Sequence, residues 1–178
     1  MQELNQILSD ATHAIEERYM RLPIDGGRPV HRERVYCYEL YHQMRSQWPA
    51  DCPYTLNGEV YKGRHPILRQ RGIGKVSPDF LIHGPGDMAL NDVIIEVKSP
   101  KVASTGLAKD LSKLNLFMTM ADYQRAIYLI YDSGVDRDAS WIRRSSLIAT
   151  RLAIACEIEL WVHREPSSRA ERIHTLRR

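Results

Sequence analysis

Apolar positions along the chain fall into blocks of helical spacing and blocks of strand spacing. Leu4, Ile7, Leu8, Ala11, Ala14 and Ile15 recur at helical intervals. They predict an amphipathic helix over 1–22, ended by Pro23 and the pair Gly26-Gly27. Its stripe reads as a packing or dimerising face rather than as a carrier of chemistry. Cys37, Leu40, Tyr41, Met44 and Trp48 predict a second helix over 31–48, stopped by Pro49. Residues 54–62 read as a strand, or as half of a hairpin around Asn57-Gly58. Two further strands, 78–83 and 92–98, are joined by a turn rich in Gly, Pro and Asn. In the latter strand Val93, Ile95 and Val97 take one face and Ile94 and Glu96 the other. Apolar residues on both sides mark a covered, central strand.

Downstream, Leu107, Leu111, Leu114 and Met118 predict a helix over 105–121, with Ser104 or Thr105 as its cap. Residues 125–132 form an apolar run of strand length before a turn at Ser133-Gly134. Trp141, Ser145, Ile148 and Leu152 share a face of a helix over 139–153. Residues 157–163 alternate like an edge strand, with Ile158, Leu160 and Val162 inward. The segment 164–178 is rich in arginine. It reads as a basic tail, either disordered or adding to attraction for a polyanion. A strand-helix-strand passage within one sheet predicts an α/β fold: a central mixed sheet of four to five strands with helices on both faces.

Composition adds bounds. A length of 178 residues and an apolar fraction of 43% predict a single domain with a sizeable core. Within it, 1–28 form an N-terminal helix and loop, 29–163 the core and 164–178 the tail. A formal charge of +3 permits a polyanionic partner without requiring one. An odd count of three cysteines, without a CxxC pair, predicts a reducing cytoplasm. Cys37, His42 and Cys52 lack the spacing of a zinc site. No apolar run is long enough to span a membrane, and no targeting segment is visible at the N-terminus.

The candidate chemistry lies in 77–101. Asp79 follows Pro78 at the start of one strand, and Glu96 and Lys98 close the next on a common face. Two carboxylates from neighbouring strands can hold a hard divalent cation such as Mg²⁺, with Mn²⁺ as substitute, and the carbonyl of Val97 can complete the protein ligands. Lys98 is placed to orient or deprotonate the attacking water, or to stabilise charge on phosphorus. A further acid on the second helix is Glu33, one turn before Cys37 at the edge of the apolar stripe. Its competitor, Glu39, falls nearly opposite that stripe. Glu33 can equally be a first-turn glutamate favoured by the helix dipole. Between 61 and 77, Lys62, Arg64, Arg69, Arg71 and Lys75 stand in a segment without acids, suited to a phosphate backbone or to plain solvation.

Pro78-Asp79 followed by Glu96-Val97-Lys98 resembles the PD-(D/E)xK, or restriction-endonuclease-like, nucleases. The resemblance runs over about 32–131, with the last helix and strand completing the fold and the first helix and the tail outside it. It implies a restriction-endonuclease-like fold in which Asp79 and Glu96 bind metal, Lys98 is catalytic and Glu33 is the upstream helical acid. Many bacterial members also carry an acid in the strand before the Pro-Asp, matched by Glu59. They often have an Asp-x-x-Lys-Leu on the following helix, matched by Asp110-Leu111-Ser112-Lys113-Leu114.

The expected function is therefore metal-dependent hydrolysis of phosphodiester bonds, DNA first. A homodimer or partner protein is expected where both strands are cut, since a single site cuts one strand at a time. Two alternatives stand beside it. One is a catalytically silent nucleic-acid-binding or assembly module on the same fold. The other is an accidental motif in an unrelated α/β domain, in which Asp79, Glu96 and Lys98 do not converge.

Overall fold

The computed structural model describes residues 3–60, 66–71 and 77–177. One mixed sheet holds six strands whose spatial order equals their chain order. They are β1 (Thr55–Gly58), β2 (Phe80–His83), β3 (Asn91–Lys98), β4 (Arg125–Tyr131), β5 (Ile158–His163) and β6 (Glu171–Leu176). β1, β2 and β3 pair antiparallel, β3, β4 and β5 parallel, and β6 returns antiparallel to β5.

Each parallel step needs a long crossover, and both crossovers are helical. They are α5 (Ser104–Met120) and α6 (Asp138–Arg151). Both advance the sheet in the same direction, so a shared right-handed sense puts both helices on one face. There Leu107, Leu111 and Trp141 pack with Leu81, Ile94, Tyr128 and Leu160. The other face is covered by the chain that precedes the sheet: α1 (Leu4–His13), α2 (Glu17–Met20) and α3 (Glu33–Ser46). Their Leu8, Met20, Tyr36 and Leu40 join Ile82, Ile95 and Leu129 in a second core layer. β3 sits between the layers, with Val93, Ile95 and Val97 in one and Ile94 in the other. A short helix α4 (Pro66–Gln70) adds Leu68 to the α5 side.

Two expectations are corrected, and of the two readings of 54–62 the strand is the one observed, at Thr55–Gly58. The sheet has six strands rather than four to five, because 164–178 is not a loose basic tail. Its residues 171–176 pair with β5, so β5 is an interior strand and β6 the edge. Among the described residues, the arginines of this segment are engaged by acids: Arg164 by Asp138 and Glu171, Arg169 by Asp10, Arg172 by Glu159 and Arg177 by Glu157. The first helix is not continuous over 1–22. α1 ends at His13, and the backbone is extended at Glu16 before the single turn of α2. The gap is used by the C-terminal segment. Ser167 N–H donates to Ile15 O, and Ala170 N–H donates to Thr12 Oγ1. Asn57-Gly58 does not make a hairpin turn. It ends β1, and Thr55 to Gly58 pair with His83 to Phe80.

Candidate active site

Strand register brings the first two acids together. Phe80 lies opposite Ile95 in the β2–β3 pair. Continued by one residue, that register sets Asp79 beside Glu96, where directly opposed side chains have Cβ atoms about 5 Å apart. Pro78 has no N–H to give to the ladder. The carboxylate of Asp79 then takes the N–H of Val97, accepting it at Oδ2 over 2.7 Å. This bond anchors Asp79 next to Glu96, whose side chain is fully buried on the α5 face.

The helices supply the rest. Asp110 and Lys113 lie three residues apart on α5, so they project from one side of it. Lys113 Nζ donates to Glu96 Oε1 at 2.7 Å and to the carbonyl of Ser77 at 3.3 Å. Glu33 opens α3, where the helix dipole favours an acid. From there it reaches the end of β3, and Lys98 Nζ donates to Glu33 Oε1 at 2.5 Å. Asp110 stands between the two ammonium groups, 3.9 Å from each.

This cluster is short of positive charge. Four carboxylates (Glu33, Asp79, Glu96 and Asp110) face two ammonium groups (Lys98 and Lys113), an excess of two negative charges when all are ionised. Glu96 responds most: burial, then repulsion by Asp79, push its carboxyl up to about 8 despite Lys113. Burial also raises Glu33 and Asp110. Burial works against the charge on Lys98, but Asp79, Glu33 and Asp110 outweigh it and hold the ammonium more firmly protonated than a free lysine. Two buried oxygens, Glu96 Oε2 and Asp110 Oδ2, have no hydrogen-bond partner. Unpaired buried carboxylate oxygens are costly and call for a cation or proton that the protein does not itself provide.

No match exists to a family model, a curated protein or a solved structure. The reading of the site rests on its own geometry.

The donor set suits a hard cation, which takes carboxylate oxygens and retains several waters. Asp79 and Glu96 would hold it. Among the described residues, no group of three or more His, Cys, Asp or Glu side chains is placed to hold a metal ion. The fit is thus that of a two-carboxylate site filled out by water. Val97, expected as a carbonyl ligand, contributes its N–H to Asp79.

Of the remaining expected residues, Glu39 stays on α3 as an acceptor for Gln43, away from the cluster. Glu59 lies just past β1 and pairs with Arg34 at 3.1 Å. Both line a cavity of about 300 Å³ together with Glu33, Ser77 and Asp79. Lys62, Arg64 and Lys75 lie outside the described residues. Arg69 is exposed on α4, while Arg71 donates to the carbonyl of Met120 and pairs with Asp122 beyond the end of α5. Arg34 was not singled out by sequence pattern. Its only signal is a position one residue after Glu33, on a helix already marked as carrying the acid.

Proposed function

We propose that the protein is a divalent-metal-dependent nuclease of the restriction-endonuclease-like kind, hydrolysing phosphodiester bonds, DNA first. The observation that carries this reading is the state of Glu96. It is fully buried, lies beside Asp79, and keeps one oxygen unpartnered although Lys113 bonds the other. When bound there, a hard divalent cation supplies Lewis-acid polarisation of the phosphoryl oxygen and eases ionisation of the attacking water. Asp79 and Glu96 are its ligands, and the Val97 N–H keeps Asp79 in place. Lys98, held protonated, is suited to donate to charge developing on the phosphoryl oxygens and unsuited to act as a base. Glu33 borders the 300 Å³ cavity with a raised carboxyl pKa and is the better proton acceptor.

The test is cleavage of plasmid and oligonucleotide DNA with Mg²⁺ or Mn²⁺ and with chelator. The protein cuts only with metal, and Lys98→Ala lowers turnover by about 10²–10³-fold while circular dichroism reports a folded chain. Undiminished cleavage by that variant removes Lys98 from the chemistry.

A second reading has its own observation. Lys113 and Lys98 already engage Glu96 and Glu33, and no trio of metal-ligating side chains is present among the described residues. In a catalytically silent nucleic-acid-binding module the lysines would simply neutralise the acids. Metal-independent binding without cleavage of any polynucleotide decides for it.

A further inference from the structure

The acids do not stand alone on their surface. A second cavity, of about 400 Å³, shares Cys37, Glu59 and Asp79 with the one beside Glu33. It is walled by Tyr38, Tyr41 and Phe80. Tyr38 and Tyr41 lie three residues apart on α3, so both rings project from the same side of the helix. Tyr41 is fixed: it stacks with Phe80 at 6.4 Å between centroids and donates from its hydroxyl to Leu56 O. Tyr38 is 63% exposed, and among the described residues it is the only aromatic among the large exposed apolar side chains. Asn57 supplies a polar edge. Its carboxamide oxygen accepts from His83 Nε2 at 3.0 Å, which sets the orientation of the amide. The volume lies within the roughly 300–1,000 Å³ of small-ligand sites.

We propose that this cavity is a nucleobase subsite, in which the base of a nucleotide next to the scissile phosphate stacks on Tyr38. The proposal rests on the nuclease reading and names its substrate: single-stranded, frayed or otherwise unpaired nucleic acid. An aromatic wall gives stacking to any base, because every base has a π face. The edge shared through Asp79 sets that stacking next to the cluster that would act on the phosphate. A base paired within a duplex must be unpaired and unstacked to enter, so an unpaired nucleotide is preferred. A partner protein seated on Tyr38 is the competing occupant.

The test compares a single-stranded oligonucleotide, its annealed duplex and a strand of tetrahydrofuran abasic units, each with Mg²⁺. The wild type cleaves the single strand fastest. Tyr38→Ala weakens single-strand kcat/KM by about five- to a hundredfold, mainly through KM, and Tyr38→Phe, which keeps the ring, restores it. On the abasic strand Tyr38→Ala and the wild type are equal, because no base is there to stack. Equal loss on the intact and abasic strands, or a duplex cleaved as fast as the single strand, overturns the subsite. A wild type that cuts nothing overturns the nuclease reading instead. The subsite is then read by binding of a 2-aminopurine strand. Quenching by the wild type and not by Tyr38→Ala keeps it, and absence of quenching overturns it.

Discussion

Two buried acids at the ends of neighbouring strands show what separates a structural carboxylate from a reactive one. Asp132 follows β4 in a left-handed backbone at φ 54°. Its side chain is nearly as buried as that of Glu96 at the end of β3, 3% against 0% exposed. Both oxygens of Asp132 are used: Arg21 donates to each at 2.7 Å, and His31 Nε2 lies 2.6 Å from Oδ2. Burial favours its protonation, yet the bonds from Arg21 and His31 win, and the carboxyl falls below the usual range. Glu159 on β5 repeats the pattern, held by Arg125 at 2.6 and 2.7 Å and by Trp161 at 2.8 Å, and it too is lowered. Glu96 is as shielded from solvent but lies deeper and has fewer donors, and its outcome is the opposite. Its one bond is to a lysine that also serves Ser77 and stands close to Asp110. The fold can therefore satisfy a buried acid fully where it only needs a tie between elements. At β3 and α5 it gathers acids faster than donors, and the shortfall is what a divalent cation would meet.

The sharpest break of the comparison is a pair of substitutions read by thermal or denaturant unfolding without metal. Asp132→Ala removes the acceptor of two charge-assisted bonds from Arg21 and of the contact with His31, leaving a half-exposed Arg21 that water can solvate, and is expected to cost about 2 kcal/mol. Glu96→Gln keeps an acceptor for Lys113 and stays neutral at every pH, where Glu96 must take up a proton to escape repulsion by Asp79. It is expected to be neutral or stabilising by about 1 kcal/mol. If Glu96→Gln costs as much as Asp132→Ala, Glu96 is an ordinary structural partner and the contrast is gone.

The next effect is a slope in pH. Glu96 is raised to about 8 in the folded, metal-free chain, so folding takes up a proton there. Its contribution is fully present below the unfolded carboxylate value and is lost as pH rises to about 8. His163 runs the other way. Burial lowers it to about 4, and its contribution is present above the unfolded histidine value and lost as pH falls toward 4. Between about pH 4.5 and 6.5 the two nearly cancel. From about pH 6.5 to 8 Glu96 acts without that offset, and its part of the metal-free stability is expected to fall by about 2 kcal/mol. Saturating Mg²⁺ holds Glu96 ionised and flattens that fall, as does Glu96→Gln without metal. Melts that coincide with and without Mg²⁺ across the whole range would remove the metal from Asp79 and Glu96.

Much of this contrast was legible in the chain. Alternation along 92–98 placed Glu96 and Lys98 on one face, and Pro78 before Asp79 marked the start of the neighbouring strand. Helical phase separated Glu33 from Glu39, and the three-residue step on α5 placed Asp110 beside Lys113. What was hidden depends on partners far away in sequence. β6 reads Glu-Arg-Ile-His-Thr-Leu, with Ile173 and Leu176 as its only apolar residues. Its strand character comes from pairing with β5 and from ion pairs such as Arg164 with Glu171. The break after His13 is tied to a C-terminal segment more than a hundred residues away. The Asp132 cluster joins Arg21, His31 and β4, which no local pattern relates. Local periodicity reports faces, and it cannot report which distant side chain completes a charge.

The smallest effect concerns an acid of a third kind, exposed and strained. Glu59 has φ 45°, a left-handed backbone that favours glycine, and its N–H donates to Asp79 O at 3.0 Å. Its pair with Arg34 is solvent-facing and contributes at most about 0.5 kcal/mol to stability. A side chain in this conformation costs about 1 kcal/mol relative to glycine. Glu59→Gly is therefore expected to stabilise the fold by about 0.5 kcal/mol. It should weaken metal-dependent cleavage a few-fold, because Arg34 loses the partner that holds it in the lining of the cavity beside Glu33 and Asp79. A stabilised and fully active Glu59→Gly would place Glu59 with the incidental surface acids. A stabilised and impaired one would show that strain is kept here for what the side chain does, as the missing donors are at Glu96.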